Sequence, residues 1–188
     1  MDLELTPLLH QAQQATPANR AAALAAIVAV LMRSQRLGRP GPEAPDNPVY
    51  QALRDRLQQQ MLVAATAAVE QYQGDHGAVS EWSTVVQATA LQAALTDDQL
   101  KQLALEAQRH PARSPQRQHA LTQLIEAIRR SGRLAHPHRS KFAPAFYDLL
   151  YEEALNQTLT YVCRKIENYD PERGTAQKFM NWVNFRLD

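Results

Sequence analysis

The chain has 188 residues, of which 45% are hydrophobic and 6% are aromatic, and its formal net charge is +1. This length suffices for one domain of ordinary size or for two small ones. The single cysteine, Cys163, excludes an internal disulfide and a cysteine-built metal site, as in many proteins of the reducing cytoplasm. The first residues lack a secretory signal, and the most apolar stretch, 21–32, is too short to span a bilayer. We therefore expect a cytoplasmic protein without a membrane partner.

The pattern of residue types predicts an all-α fold. Glycine is scarce, and no run of residues alternates between polar and β-branched side chains. Thr16-Pro17 and Ser114-Pro115 each supply an N-cap followed by proline at the first helical position, and Thr96 precedes Gln99 in a capping-box pattern. The predicted helices span about 3–14, 17–36, 48–72, 79–94, 97–109, 115–131, 144–168 and 176–187.

The sequence matches itself at a constant shift of 97 residues, which predicts two copies of one four-helix unit. The matched pairs include Arg20 with Arg117, Ser34 with Ser131, Pro40 with Pro137, Tyr50 with Tyr147, Glu70 with Glu167, Tyr72 with Tyr169 and Gly77 with Gly174. In the first helix, a two-residue offset pairs Gln13 with Gln108. Chance similarity between two amphipathic stretches is the competing explanation, but the shared proline and glycine positions favour tandem duplication. We expect a helical bundle of two diverged four-helix repeats, 1–96 and 97–188.

Basic side chains concentrate in the second half of the chain. Residues 98–188 carry 14 basic and 10 acidic side chains, against 6 and 9 in residues 1–97. Phosphate contacts from such a cluster would give salt-dependent affinity for nucleic acid, whereas a solvated helix surface is the competing interpretation. The aromatic residues that follow, Phe142, Phe146 and Tyr147, could form a base-stacking platform, but we expect them in the core because aromatics at helical spacing are more often buried. The candidate nucleic-acid-binding residues are Arg129, Arg130, Arg133, Arg139 and Lys141.

The last forty residues combine a long amphipathic helix, a tight turn and a short aromatic helix. Spacings of four and three predict that one helix face is apolar: Tyr151, Leu155, Leu159, Val162 and Ile166. The opposite face is polar: Glu153, Gln157, Thr160 and Arg164. In the turn, Asp170 can act as the cap, Pro171 fits the first position and Gly174 can adopt a left-handed conformation. Phe179 and Trp182, three residues apart, are expected to pack together against the long helix.

Three motifs in this segment resemble conserved region 2 of the bacterial sigma-70 family. They are Glu153-Ala154-Leu155-Asn156-Gln157, then Tyr169 with Asp170-Pro171-Glu172-Arg173-Gly174, then Phe179 and Trp182. The resemblance covers about residues 146–187, and it implies a helical hairpin that docks on the β′ clamp helices of core RNA polymerase. It therefore implies a transcription-initiation protein that binds and does not catalyse, with no cofactor and no small-molecule substrate.

The resemblance and the exposed helix face together assign two groups of residues. The RNA-polymerase-binding residues are Glu153, Asn156, Gln157, Thr160, Arg164, Asp170 and Arg173. The residues that shape the hairpin are Tyr169, Pro171, Gly174, Phe179 and Trp182. Two additional residues separate Gly174 from Phe179 relative to the family pattern. In the family the promoter-reading segments follow this point, so we expect promoter DNA as a partner only if the chain is the N-terminal part of a longer sigma factor.

The first copy departs from the motifs of the second. It keeps Tyr72 and Trp82, but Arg56 stands at the position of Glu153, and Gln73 replaces the aspartate of the turn. We therefore expect the first copy to be structural or to bind a different partner.

Two other classes of function remain as alternatives. A helical interaction scaffold, forming homodimers through its long helices, requires an exposed apolar patch. A helical enzyme requires a buried cluster of polar or ionised residues. Enzymatic function is not expected, because we see no phosphate-binding glycine loop, no activated nucleophile and no histidine with a carboxylate partner at i, i+4 metal spacing.

Overall fold

A computed structural model describes residues 2–41, 45–74, 76–173 and 178–187. Within these residues the secondary structure consists of eight α-helices and three short 3-10 turns, without a β-strand, which confirms the all-α prediction. None of the helices in this part of the chain combines the length and the apolar content needed to cross a bilayer.

The first compact unit comprises Met1–Arg39 and Tyr50–Ala94. It contains α1 and α2, most of α3, and α4, which span Asp2–Gln14, Pro17–Ser34, Pro48–Ala68 and His76–Ala94. Helix α1 packs against both α2 and α4. The core is built from side chains that are fully buried: Leu5, Leu9, Ile27, Leu31, Leu53, Leu57 and Met61.

The second compact unit comprises Pro40–Val49 and Leu95–Asp188. It contains α5 to α8, which span Asp97–Arg109, Pro115–Arg130, Pro144–Lys165 and Phe179–Asn184. Helix α5 packs against both α6 and α8. The predicted apolar face of α7 is buried from Leu155 onward, whereas Tyr151 is half-buried. The remaining core side chains include Leu100, Leu103, Leu124, Ile128 and Phe179.

Two of the three predicted caps form as side-chain caps. Thr96 Oγ1 accepts a hydrogen bond from the Gln99 backbone N–H at 3.4 Å, and Ser114 Oγ accepts one from Arg117 at 3.2 Å. Thr16 is the N-cap residue of α2 with Pro17 at the first helical position, as predicted, but its side chain makes no capping hydrogen bond. Its carbonyl oxygen accepts from the Arg20 N–H at 2.8 Å, and Thr16 is exposed, so water can solvate both the hydroxyl and the first N–H groups.

Four helices differ from the prediction at one or both ends. The long helices α3 and α7 end in 3-10 turns, Val69–Gln71 and Ile166–Asn168, before they reach the predicted C-termini. Helix α4 begins earlier than predicted, so Gly77 lies in its first turn and not in a turn before it. The α-helical part of α8 begins and ends inside the predicted span, and residues 174–177 lie outside the described residues.

Residues 40–49, which the sequence places in the first repeat, group with the second unit. Asn47 explains part of this grouping, because its amide donates to Glu106 Oε1 at 2.5 Å. Its side-chain oxygen also accepts from the Val49 N–H at 3.0 Å, which caps the start of α3. In addition, the His119 ring lies so close to Gly41 that a Cβ there would be 3.2 Å from it.

Each unit contains a glutamine that ties its first helix to the end of its long helix. In both cases the amide nitrogen donates to two backbone carbonyl oxygens beyond the last α-helical turn. The four bonds run from Gln13 to Val69 (3.0 Å) and Tyr72 (2.8 Å), and from Gln108 to Ile166 (2.7 Å) and Tyr169 (2.7 Å). The Val69 and Ile166 carbonyls also accept the Tyr72 and Tyr169 N–H groups, at 3.4 and 3.1 Å, so the glutamine adds a second hydrogen bond to each.

Each unit also contains an arginine on its second helix that pairs with a glutamate in the 3-10 turn after its long helix. In the first unit, Arg20 Nη1 lies 2.6 Å from Glu70 Oε1. Arg117 pairs with Glu167 in the second, and it also donates to the His110 carbonyl at 3.0 Å. The glutamine and arginine contacts therefore occur at positions that the sequence repeat matches.

Candidate partner-binding site

The exposed face of α7 contains the five helix residues that were assigned to polymerase binding. All five are exposed, and with Tyr161 and Lys165 they line an open groove of about 470 Å³. The five residues are Glu153, Asn156, Gln157, Thr160 and Arg164. The structure therefore brings them together on one accessible surface of the second unit.

Exposed hydrogen bonds orient four of these side chains. The Gln157 amide donates to Glu153 Oε1 at 2.7 Å, and the Thr160 hydroxyl donates to the Asn156 carbonyl at 2.8 Å. From α6, the Arg129 guanidinium donates to Asn156 Oδ1 at 2.9 Å. Exposed bonds of this kind contribute little net stability, so a partner can replace them at small cost.

The turn after α7 has the predicted chemistry. Asp170 Oδ1 accepts from the Glu172 N–H at 2.9 Å, and the Asp170 carbonyl accepts from the Arg173 N–H at 3.3 Å. Such a side-chain bond two residues along the chain stabilises a tight turn, and Pro171 presets its first torsion. Asp170 and Arg173 are both exposed. Gly174, which was also predicted to shape this turn, lies outside the described residues.

An aromatic cluster fastens α8 to the end of α7. Tyr169 and Phe179 are buried and meet edge to face, with ring centroids 5.0 Å apart. The half-buried Trp182 contacts Tyr169, Phe179 and Tyr161 at centroid distances of 5.7, 5.8 and 5.7 Å. This confirms that Phe179 and Trp182 pack together. Burial, with the carboxylates of Asp97, Asp170 and Glu172, raises the pKa of Tyr169 to about 12.

Asp97 is a positioning residue that the sequence analysis missed. Its two carboxylate oxygens accept hydrogen bonds from the backbone N–H groups of Phe179, at 2.9 Å, and Met180, at 2.8 Å. Both groups belong to the first turn of α8, where N–H groups lack helical partners. An acid in the first turn of α5 indicates only a favourable interaction with its own helix dipole, so the sequence carries no signal for this contact.

Two residues, Asn184 and Arg186, hold the end of α8 in place. The Asn184 amide donates to the Arg133 carbonyl at 3.0 Å, and Asn184 Oδ1 accepts from the Ala135 N–H at 3.0 Å. The Arg186 guanidinium lies 4.1 Å from the centre of the Tyr161 ring and donates to its hydroxyl at 2.9 Å. Tyr161 thus connects α8 to the wall of the groove.

Three of the five candidate nucleic-acid-binding residues donate hydrogen bonds inside the second unit. Arg129 bonds Asn156, as described above. Arg130 pairs with Glu126 one turn earlier at 2.6 Å, and Arg133 donates to the Leu95 carbonyl at 2.9 Å. The other two, Arg139 and Lys141, are exposed in a 3-10 turn before α7. The structure therefore does not gather the five side chains into one array of donors directed at solvent.

The prediction that Phe142 and Phe146 are core residues is wrong. Their side chains are 43% and 53% exposed, and their rings meet edge to face with centroids 5.8 Å apart. Leu149 and Leu150 are 73% and 44% exposed, and we call these four side chains the apolar patch. For Phe146 the physical reason is helical phase: α7 buries Tyr147, so the residue before it on the helix points outward, whereas Phe142 lies before the start of α7.

A buried carboxylate lies in a polar cluster of the second unit. Glu106 is 3% exposed and is bonded by Asn47, by Arg109 at 2.9 Å and by His110 at 3.0 Å. Burial raises the pKa of Glu106, but these hydrogen bonds and the Arg109 charge together hold it below the usual 4.5. This corrects the sequence analysis, which found no histidine with a carboxylate partner at i, i+4 spacing.

The structure bears on the metal-binding capacity of the Glu106 cluster and on the reactivity of Cys163. Among the described residues, no group of three or more His, Cys, Asp or Glu side chains is placed to hold a metal ion. Burial raises the pKa of the Cys163 thiol, so its nucleophilic thiolate is less populated at neutral pH than in a free cysteine. The Glu106 cluster instead joins residues 45–49 to α5 through Asn47.

Comparison with protein-family models, with curated proteins and with solved structures finds no match for this chain.

Proposed function

We propose that this chain is a sigma-factor-like transcription-initiation protein that binds the β′ clamp helices of core RNA polymerase in the bacterial cytoplasm. The observation that carries the proposal is the exposure of Glu153, Asn156 and Gln157 on one face of the helix that leads into the turn at 170–173. The sequence motif aligns these three residues with the polymerase-contacting positions of the sigma-70 family. Had the fold buried them, binding by this route would be impossible.

The chemistry of the face supports a regulated, dissociable complex. Glu153 carries a negative charge near one end of the groove, and Arg164 and Lys165 carry positive charges at the other. Charged and polar groups arranged in this way give orientation and association rate more than affinity. The basic pair also lies in the last turn of α7, where it interacts favourably with the helix dipole.

The aromatic cluster supports the proposal by making the hairpin rigid. A partner that contacts α7 and the turn at 170–173 together requires a fixed relation between them. Tyr169, Phe179 and Trp182 provide it through mutual packing, and Asp97 fixes the first turn of α8. A surface that is ordered before binding loses less conformational entropy on association.

The test is a pull-down of purified core RNA polymerase, and separately of its isolated β′ clamp helices, with the wild-type chain and with Gln157→Arg. The variant keeps an i, i+4 partner for Glu153, so it should fold normally. It adds bulk and charge in the centre of the groove, and we expect binding to fall by at least about tenfold. The matched control is Gln59→Arg on the exposed face of α3, which should bind like wild type.

Circular dichroism must show that both variants are folded. Binding by the wild type and by Gln59→Arg, with loss in Gln157→Arg, would establish the role and locate the surface. A folded wild-type chain that retains neither core polymerase nor the clamp helices would overturn the proposal.

We also infer that the two units arose by tandem duplication. The support is the paired set of contacts: Gln13 with Gln108, and Arg20 with Arg117, make the same bonds to matching positions. The unit of duplication would be four helices. In the first unit Arg56 occupies the place of Glu153, so that unit is not expected to bind the polymerase clamp.

A second candidate function is a protein-protein interaction scaffold, which could be homodimeric. The specific observation in its favour is the apolar patch, because that interpretation requires exposed apolar surface and the sequence alone does not indicate it.

A further inference from the structure

The apolar patch continues the polar groove along one face of α7. Steps of three and four residues connect Phe146, Leu149, Leu150, Glu153 and Gln157, which places them on a single stripe of the helix. The N-terminal half of the stripe is apolar and the C-terminal half is polar. A partner that lies along α7 would therefore meet both halves.

The size of the apolar patch is suitable for a contact with a partner. Its four side chains are between 43% and 73% exposed, and neighbouring positions place them in one cluster. Together they present roughly 400 Å² of apolar surface, which is within the size range of functional patches on soluble proteins. Single exposed apolar residues are ordinary, but contiguous ones mark interaction sites.

The residues in and around the patch disfavour nucleic acid as the partner. Base-stacking surfaces use aromatic side chains, whereas Leu149, the most exposed member, has no aromatic face. The exposed charges on the two sides of the patch have opposite signs, Arg139 and Lys141 before it and Glu152 and Glu153 after it, so they form no continuous positive surface for phosphate. A protein partner fits this surface better.

The charges on the two sides of the patch have opposite signs, so this surface is electrostatically complementary to a second copy of itself. Exposed basic residues, Arg139 and Lys141, precede it in the chain, and exposed acidic residues, Glu152 and Glu153, follow it. In a twofold-symmetric pair the same surface meets itself in the opposite direction. The basic end of one copy would then face the acidic end of the other, with apolar surface between them.

We propose that the apolar patch is a homodimer contact, in which the first two turns of α7 and the segment 139–143 before it pack antiparallel against the same surface of a second copy, about a twofold axis near Phe146. The two patches cover each other, and Lys141 of each copy faces Glu153 of the other. The buried apolar area is about half that of a standard stable interface, so the dimer should be weak. If the polymerase proposal also holds, Glu153 is shared and the two partners exclude each other.

The experiment is sedimentation velocity on the purified chain alone, from about 1 µM to about 300 µM. We expect the wild-type chain to change from monomer to dimer within this range. Leu149→Glu, which places a charge in the centre of the patch, should be monomeric throughout. The matched control is Leu3→Glu, because Leu3 is 86% exposed and lies on α1, outside the patch. This control should dimerise like wild type.

Charge reversal tests the antiparallel arrangement. Lys141→Glu alone and Glu153→Lys alone should each weaken the dimer by about tenfold, because each places like charges face to face. The two changes in one chain should restore the wild-type Kd within about threefold. Failure of this restoration would overturn the antiparallel arrangement.

Three other outcomes would overturn the homodimer itself. These are a wild-type chain that is monomeric at the highest concentration, a Leu149→Glu chain that dimerises unchanged, and binding of a labelled oligothymidine that Leu149→Glu abolishes. The last result would assign the patch to single-stranded nucleic acid. Because no polymerase is present, none of these outcomes decides the polymerase proposal.

Discussion

Asp97 caps α8 through the backbone of Phe179: its carboxylate accepts the Phe179 N–H at 2.9 Å and the neighbouring Met180 N–H at 2.8 Å. This contact joins the first residue of α5 to the first turn of a helix 82 positions further along the chain. Phe179 also packs on Tyr169, the residue before the turn at 170–173. The geometry of the candidate site therefore depends on a residue outside it.

Asp97→Ala should destabilise the protein. It removes both acceptors from the first turn of α8, where the N–H groups have no helical partners, and the loss should be about 1–2 kcal/mol of unfolding free energy. Urea denaturation followed by circular dichroism measures it. Asp98→Ala is the control, because Asp98 is an exposed acid in the same helical turn. Equal losses in the two variants would contradict the capping role.

Gln108→Glu should be strongly destabilising at neutral pH. A carboxylate in place of the amide would face the Ile166 and Tyr169 carbonyl oxygens without a hydrogen to donate. The expected loss is about 2–4 kcal/mol. This site raises the folded-state pKa of the new acid above its unfolded value, so the loss should diminish as pH falls through that pKa.

The same denaturation at pH 7 and at acidic pH, each against wild type at the same pH, measures this effect. Gln102→Glu, on the exposed face of α5, is the control and should cost little at either pH. A Gln108→Glu chain as stable as Gln102→Glu would show that the two carbonyl bonds do not contribute.

Glu106 should make stability depend on pH. Its folded-state pKa lies below the usual 4.5, so the unfolded chain binds the proton more readily. The stabilisation is fully present above about pH 4.5 and is lost as pH falls through the folded-state value. The stability difference between wild type and Glu106→Gln, from urea denaturation between pH 7 and pH 3, should therefore shrink on acidification.

The exposed residue Glu152 provides the control for this series. Glu152→Gln should keep a constant small difference from wild type over the same pH range. A Glu106→Gln curve parallel to wild type at every pH would refute the assigned shift.

Arg20 and Arg117, which the sequence repeat matches, should differ in how much they contribute to the free energy of unfolding. Arg117 is almost buried, with its side chain 8% exposed, and it bonds both Glu167 and the His110 carbonyl. Arg117→Met should cost about 1–3 kcal/mol, because the carbonyl loses its donor away from water. The Arg20 side chain is 31% exposed, and Glu70 is 61% exposed, so Arg20→Met should cost about 1 kcal/mol or less.

Thermal unfolding of the two methionine variants provides the comparison. A larger loss in Arg20→Met would contradict the assignment of these energies by burial. Similar losses would mean that the arginine contacts contribute equally in the two units.

Local chemistry in the sequence determined the helices and the turn. Caps at Thr96 and Ser114, and the periodic spacing along α7, act within a few residues, so they can be read without the fold. The same holds for Asp170, whose side chain caps a turn two residues away. The exposed polar face of α7 follows from the phase of its apolar residues.

Tertiary structure alone decided which faces of these elements are buried and which distant residues they contact. Periodicity predicts that residues share a face, but whether another element covers it depends on packing, so Phe142 and Phe146 were misassigned. Contacts between distant residues have no sequence signature, which is why the Asp97 cap on α8 and the Asn47 bond to Glu106 were missed. The sequence determined what each helix can present, and packing selected what remains exposed for a partner.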